Sequence, residues 1–529
     1  MLWAAIGVLA LSRVAPNPWP IQPSRAGELR ASLAVLDRNG PALLGYGPGT
    51  HAAYAIGYSD DQGIYVIVPA LSHWLGQSDP VAVLRWLWLL AWALTLAFGA
   101  AVVRALTGSS WAALLAPPTL LVAIASFGFG DIYWVAAWVL VTFVPLLILL
   151  ARRRPPGLWL ALASIALVAG VVSAIRSSAG LAVALAAAVV ALKAGGPRAL
   201  RAGALALLAV AYLSPSLIAL PAIRAHRDRR VGLDLSRNVP TSHPLWHSLY
   251  IGLGYTGNRY GIHYADEYAA AAAREIDPQA RYLSPAYASA LHKEVDTLLE
   301  RDPGFVARAE AQKAVVELSQ AAPYIVLLAL LLPAALAARG AARLRASELA
   351  LFLPALAIGA LAGVVAAPLR GYELTLLASL ASIGLLAIAS TAACAEAAWS
   401  AAPACARRTA CARLALRNLE REWPTRPTGR ALLAAMVLLV PSFVFARRLE
   451  ADHERWDRGE RGQATVVLAG STRMTRPSGD AVQVAAIGDL RAARSRVSPR
   501  SATVCPVAPS RAGAPASWWS HPARSPARR

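Results

Sequence analysis

Long apolar blocks alternate along the chain with short polar segments. The blocks fall at 2–15, 81–103, 111–127, 132–150, 158–175, 178–192, 199–220, 323–338, 349–367, 372–393 and 430–446. Most approach the roughly 20 residues that a helix needs to cross a hydrocarbon core. A crossing helix also satisfies its own backbone hydrogen bonds, which lipid cannot do. The pattern therefore predicts an all-α multi-span membrane protein with about eleven transmembrane helices. The first block is short and has no basic leader. It reads as a degraded signal peptide or, in the preferred reading, as a first transmembrane helix whose true start lies upstream of Met1.

The cations sort the connections into two kinds. Arg152-Arg153-Arg154, then Lys193, Arg198 and Arg201, then Arg339, Arg343 and Arg345, then the 407–430 segment are rich in Arg and Lys. The connections between them carry little: Gly128–Asp131, a single Arg176, a single Arg370. Because basic loops stay on the cytoplasmic side, the alternation places the N-terminus inside and the C-terminus outside. The multi-span domain covers 1–446, with large outer segments at 16–80 and 221–322. An outer tail at 447–490 holds a β-hairpin pattern around Ser478-Gly479-Asp480, and 491–529 reads as a disordered basic tail.

Within the first outer segment, "SRAGELRASLAVLDRNG" spaces Leu29, Leu33 and Leu36 on one helical face and stops at Gly40-Pro41. A Gly/Tyr-rich loop follows. "IYVIVPALSHWLG" is then too short to span and reads as an interfacial helix. In the second outer segment, Ser284-Pro285 and Asp302-Pro303 are helix starts, and the second of these helices runs on into the block at Pro323.

Composition agrees with a membrane protein. Of 529 residues, 57% are hydrophobic and 15% charged, and the mean hydropathy is +0.47. The net charge of +21 would suit nucleic acid, but the arginines lie in loops between apolar blocks and in the tail. That distribution points to topology and anionic lipid contact, with no nucleic-acid partner. The four cysteines, Cys394, Cys405, Cys411 and Cys505, form no CxxC pair and match no zinc spacing.

Several polar residues are candidates for chemistry. Asp60 and Asp61 stand just before the interfacial helix. A carboxylate at a membrane boundary has its pKa raised and serves as a general base; Ser59-Asp60-Asp61 equally suits a helix N-cap. Asp131 precedes an apolar block and reads as an outer-face acid or as an N-cap. Arg176 reads as a phosphate contact or as a turn residue. His243 and His247 are four apart, with Asp266 and Glu267 further on. That is a weak metal signal, and with Trp246, Tyr250 and Tyr255 around them the plainer reading is an aromatic interfacial belt whose rings also suit stacking on a sugar. No metal site or cofactor is assigned, and a divalent ion stays open. Walker A, Rossmann, HExxH and GxSxG patterns are absent from the sequence.

"SDDQGIYVIVPALSHWLG", placed between the first and second apolar blocks, resembles the first outer loop of the GT-C glycosyltransferases, integral membrane enzymes that use polyprenyl-phosphate sugars. The resemblance implies that Asp60 or Asp61 is the catalytic base and that Tyr65 lies in the substrate site. "PLRGYELTLLASLASIG" is similar to their late outer loop, which implies that Arg370, beside Tyr372, meets the donor phosphate; the proline usual in that loop is missing here. By position, Asp131 matches a second acidic residue of such enzymes. The expectation is an inverting glycosyltransferase of the bacterial plasma membrane. It would move a sugar from a polyprenyl-phosphate donor to a cell-envelope acceptor, with membrane lipids as partners. A transporter or flippase of lipid-linked glycan and a non-catalytic assembly protein are the alternatives.

Overall fold

A computed structural model describes residues 2–14, 19–47, 52–57, 61–127, 131–235, 243–338, 343–365 and 374–401. The expected block at 430–446 and the tail hairpin lie outside the described residues. In chain order the helices are α1 (Leu2–Val14), α2 (Pro23–Asp37), α3 (Gln62–Trp74), α4 (Pro80–Thr107), α5 (Ser110–Ser126), α6 (Trp134–Arg153), α7 (Leu158–Ile175), α8 (Leu181–Lys193), α9 (Arg198–Ser214), α10 (Leu220–Val231), α11 (Leu245–Gly252), α12 (Asp266–Ile276), α13 (Pro285–Arg301), α14 (Pro303–Ala337), α15 (Ala346–Leu349), α16 (Leu353–Val365) and α17 (Leu374–Ala401).

Among the described residues, seven helical stretches are long and apolar enough to cross a membrane: Pro80–Thr107, Trp134–Arg153, Leu158–Ile175, Arg198–Val231, Pro303–Ala337, Ala346–Gly363 and Leu374–Ser400. The chain is an all-α multi-pass membrane protein, and among the described residues seven of the eleven expected blocks reach spanning length. Three expected spans emerge as shorter helices, the 13-residue α1, the 17-residue α5 and the 13-residue α8. A 13-residue helix rises only about 20 Å, less than the hydrocarbon core. Apolar length along the sequence overstated α8 because Ser178–Gly180 belongs to a turn rather than to the helix.

Contacts at the helix ends divide the bundle into two poles. At one pole Arg152, at the end of α6, holds Glu348 of α15 through two hydrogen bonds of 2.6 and 2.8 Å and also donates to the carbonyls of Leu106 and Arg343. Arg154 donates to the Lys193 carbonyl, and Lys193 to that of Ser347. Three of the four basic segments therefore meet at one pole, and the fourth, at 407–430, lies outside the described residues. α6 has 20 residues, which place its start about 30 Å away, at the other pole.

That second pole carries the polar structure. α2 and α3 pack side by side with their N-termini together. Arg25 meets Asp61, Ser32 Oγ donates to the Tyr65 carbonyl, and Asp37 meets His73. The chain returns between them through a small antiparallel hairpin, β1 (Leu44–Tyr46) and β2 (Ala53–Ala55), with Leu44 opposite Ala55. Sequence reading had this segment as loop, because its glycines and tyrosines carry no strand alternation. Further along, α11, α12 and α13 form a lobe with its own apolar core around Tyr250, Leu253, Ala269, Tyr287 and Leu291.

Candidate functional site

Three helix starts converge on one charged cluster. Arg25 lies in the first turn of α2, where Pro23 sets the opening. Asp61 is the residue before α3, and Asp131 lies three positions before α6. The Arg25 guanidinium donates from one terminal nitrogen to Asp61 Oδ2 at 2.9 Å and from the other to Asp131 Oδ2. All three side chains are buried. An arginine at a helix N-terminus opposes the helix dipole, whereas carboxylates there are favoured. The two acids thus compensate both the charge of Arg25 and its position.

The cluster resolves two sequence-level ambiguities. Asp61 does stand at the N-cap position of α3, but its side chain makes no capping hydrogen bond; it is turned to Arg25. Asp131 does not cap α6, whose cap position is Tyr133. It sits at φ 49°, a left-handed conformation that aspartate tolerates better than most residues, and its N–H donates to the Pro20 carbonyl at 2.9 Å. Backbone held in a sparsely populated region costs energy and persists only where surroundings enforce it.

Other groups close around this core. Arg176, at the end of α7, lies over the Tyr133 ring with its guanidinium carbon 5.1 Å from the centroid, and its charge acts on Asp131. Burial pushes the Asp131 carboxyl up to about 6; Arg25 opposes the shift, Asp61 adds to it, and Arg176 opposes it. Tyr65 is buried and hydrogen-bonded to Glu28; burial and the carboxylates of Asp61 and Glu28 raise its phenol well above the ordinary value. Gln62 is fully buried, and its amide has no hydrogen-bond partner among the described residues. Gly63 lets α3 approach α7, since a Cβ there would lie 2.6 Å from the Ala174 carbonyl.

Of the expected site residues, Asp61, Tyr65, Asp131 and Arg176 come together here. Asp60, Arg370 and Tyr372 lie outside the described residues. Arg25 escaped the sequence reading, although a signal existed: it sits four and eight residues before Leu29 and Leu33, on the apolar face of an amphipathic helix. A buried cluster on α14 was also missed. Lys313 Nζ lies 3.0 Å from Glu310 and 3.4 Å from the Val365 carbonyl, while Glu317 packs its carboxylate against Gly363 of α16.

His243 and His247 form a separate group in the lobe. The expected interfacial belt is not what surrounds them: Tyr250 is buried in the lobe's own apolar core, and Tyr255 is buried against Val316 of α14. Trp246 stacks on His292 at 3.8 Å. His247 Nε2 lies 3.3 Å from Asp266 Oδ1 and His243 Nε2 3.8 Å from Asp266 Oδ2, while His247 Nδ1 is 2.6 Å from the Tyr287 hydroxyl. Crowding by protein would raise the Asp266 carboxyl, but the hydrogen bonds with the two histidines outweigh it and hold the group well below the usual carboxylate range. One ligand atom from each of these three residues can be chosen so that all lie within 4.8 Å of one another.

The fold and composition define a multi-pass α-helical membrane protein with a polar pole and a basic pole. Comparison with known protein families, with curated proteins and with solved structures gives no match.

Proposed function

We propose that the chain is a membrane glycosyltransferase, with its polar pole on the outer face of a bacterial plasma membrane. One observation carries the reading: Asp61 and Asp131, from two separate polar segments, meet on Arg25 at the pole opposite the basic helix ends. A pair of carboxylates with one tuned toward neutrality is what proton abstraction from a hydroxyl near pH 7 requires. In this reaction a polyprenyl-phosphate sugar enters from lipid. The acceptor hydroxyl attacks the anomeric carbon, its proton passes to the acidic pair, and the bond to phosphate oxygen breaks with inversion. Asp131 is the proton acceptor tuned by burial, Asp61 fixes Arg25, and Asp60 is the neighbour of Asp61 in sequence. Arg176, together with Arg370, takes the donor phosphate, since a guanidinium holds phosphate through paired charged hydrogen bonds. The donor is already activated, so no nucleotide is needed.

The test is sugar transfer by membranes containing the chain, given a panel of labelled polyprenyl-phosphate sugars. Asp131→Asn and Asp61→Asn should each lower transfer by about 100-fold or more, with the protein still folded. Donor binding with transfer unchanged in both variants would sink the reading. A second reading, movement of a lipid-linked glycan across the membrane, rests on the buried Lys313 and Glu317 of α14 with the half-buried Glu310 beside Lys313, since ionisable groups in spanning helices mark transport paths. It predicts that Glu317→Gln abolishes translocation in vesicles while the aspartate variants retain it.

A further inference from the structure

We propose that His243, His247 and Asp266 form a divalent-metal site, zinc first among candidates, that ties α11 to α12 in the lobe. The proposal stands apart from the sugar-transfer reading and uses none of its residues.

The three side chains are already gathered as ligands of one ion would be. Zinc binds imidazole nitrogen and carboxylate oxygen at about 2.0–2.2 Å in a tetrahedral arrangement, so its ligand atoms stand roughly 3.4 Å from each other. His247 Nε2 stands 3.3 Å from Asp266 Oδ1 and His243 Nε2 3.8 Å from Oδ2, with the Tyr282 hydroxyl 3.3 Å from His243 Nε2. One ligand atom from each of the three residues lies within 4.8 Å of the others, so a small inward shift of the side chains would close them on an ion. Both histidines present the same atom, Nε2, to one carboxylate.

The surroundings fix the ligands. His247 is buried, and its other ring nitrogen meets the buried Tyr287 at 2.6 Å. A metal-bound histidine commonly donates its second N–H to an oxygen, which sets its tautomer and aim. With Nδ1–H donating to the Tyr287 hydroxyl, the Nε2 lone pair points at the site. The three donors come from different places: His243 just before α11, His247 within it, and Asp266 at the start of α12. α11 has only eight residues, too few to hold a helix alone, and a metal would fasten it. The Asp266 side chain is 56% exposed, so ions can enter, and three protein ligands leave a coordination position for water.

The test uses the purified full-length chain in detergent, stripped with a chelator and titrated with zinc. Metal content and melting temperature are both read. One equivalent of zinc should bind and raise the melting temperature. Asp266→Ala and His243→Ala change exposed or half-exposed positions and should keep the fold while losing that equivalent. Tyr287→Phe should weaken binding by roughly tenfold. Failure of the wild type to take up zinc at micromolar concentration would overturn the proposal. Uptake that stays unchanged in both Asp266→Ala and His243→Ala would overturn it equally, leaving a histidine–aspartate hydrogen-bond pair.

Discussion

Arg25 on α2 donates to Asp61 at the start of α3 across 2.9 Å, and the same guanidinium holds Asp131 before α6. One cation therefore joins three helix starts. Removing one partner of a buried ionic set leaves uncompensated charge and costs about 3–5 kcal/mol. Arg25→Ala should lower stability by about that amount, measured by thermal or denaturant unfolding in detergent. Arg25→Lys should recover only part of it, because an ammonium is a point donor and lacks the planar fork that reaches two carboxylates at once.

The elevated Asp131 group gives stability a specific pH dependence. Its unfolded value is 3.8, and burial raises it to about 6 in the folded protein, against the pull of Arg25 and Arg176. Between these values the folded state keeps a proton that the unfolded state has released. The contribution of this group to stability is therefore full below about 3.8, falls as pH rises through the window, and levels off above about 6. The difference in melting temperature between wild type and Asp131→Asn, scanned from pH 4 to 8, should follow this curve. A difference that is flat with pH would show that Asp131 is not shifted. Asparagine also tolerates the left-handed backbone at φ 49°, so the comparison isolates the charge.

Much of the bundle is legible in the sequence because lipid imposes a simple rule on it. The 158–175 block coincides with α7, and the three described basic connections meet at one pole through Arg152, Arg154 and Lys193. Span count was less legible, since the apolar run at 178–192 does not distinguish α8 from the turn before it. For the site, charge at the edge of an apolar run flagged Asp61 and Asp131, yet nothing in local pattern says that residues so far apart share a partner. Arg25 was hidden because "SRAGELR" places it among other charged residues, and only the helical register puts it on the face of Leu29 and Leu33. The burial of Tyr250 and Tyr255 was illegible for a related reason: an aromatic cluster looks alike in sequence whether it faces lipid headgroups or a small core.

Gly63 tests whether the cluster depends on the fit of α3 against α7. Any side chain there would enter the Ala174–Ile175 backbone, with contacts of 2.6 to 2.8 Å. Backbone cannot step aside as a flexible side chain can. Gly63→Ala gains helix propensity of about 1 kcal/mol but should still destabilise, by about 1–3 kcal/mol net, because overpacking forces the helices apart. Unfolding measurements on this variant give the sign. A stabilised protein would mean that α3 is not pressed against the end of α7.

Gln62 separates a structural role from a binding role. Its side chain is fully buried beside Asp61, and neither its oxygen nor its nitrogen has a hydrogen-bond partner among the described residues. A buried, unsatisfied amide is a burden of about 1–3 kcal/mol, so it suits a site that presents polar atoms to something else. Gln62→Leu keeps the approximate volume and removes the amide. If the group serves a ligand, the variant should be as stable as wild type or more so, by about 1 kcal/mol, yet bind donor or acceptor more weakly. If the amide is bonded within the folded chain, the same change should lower the melting temperature, with any loss of binding following from that. Stability and ligand affinity measured on one preparation decide between the two, because the roles predict opposite signs for stability.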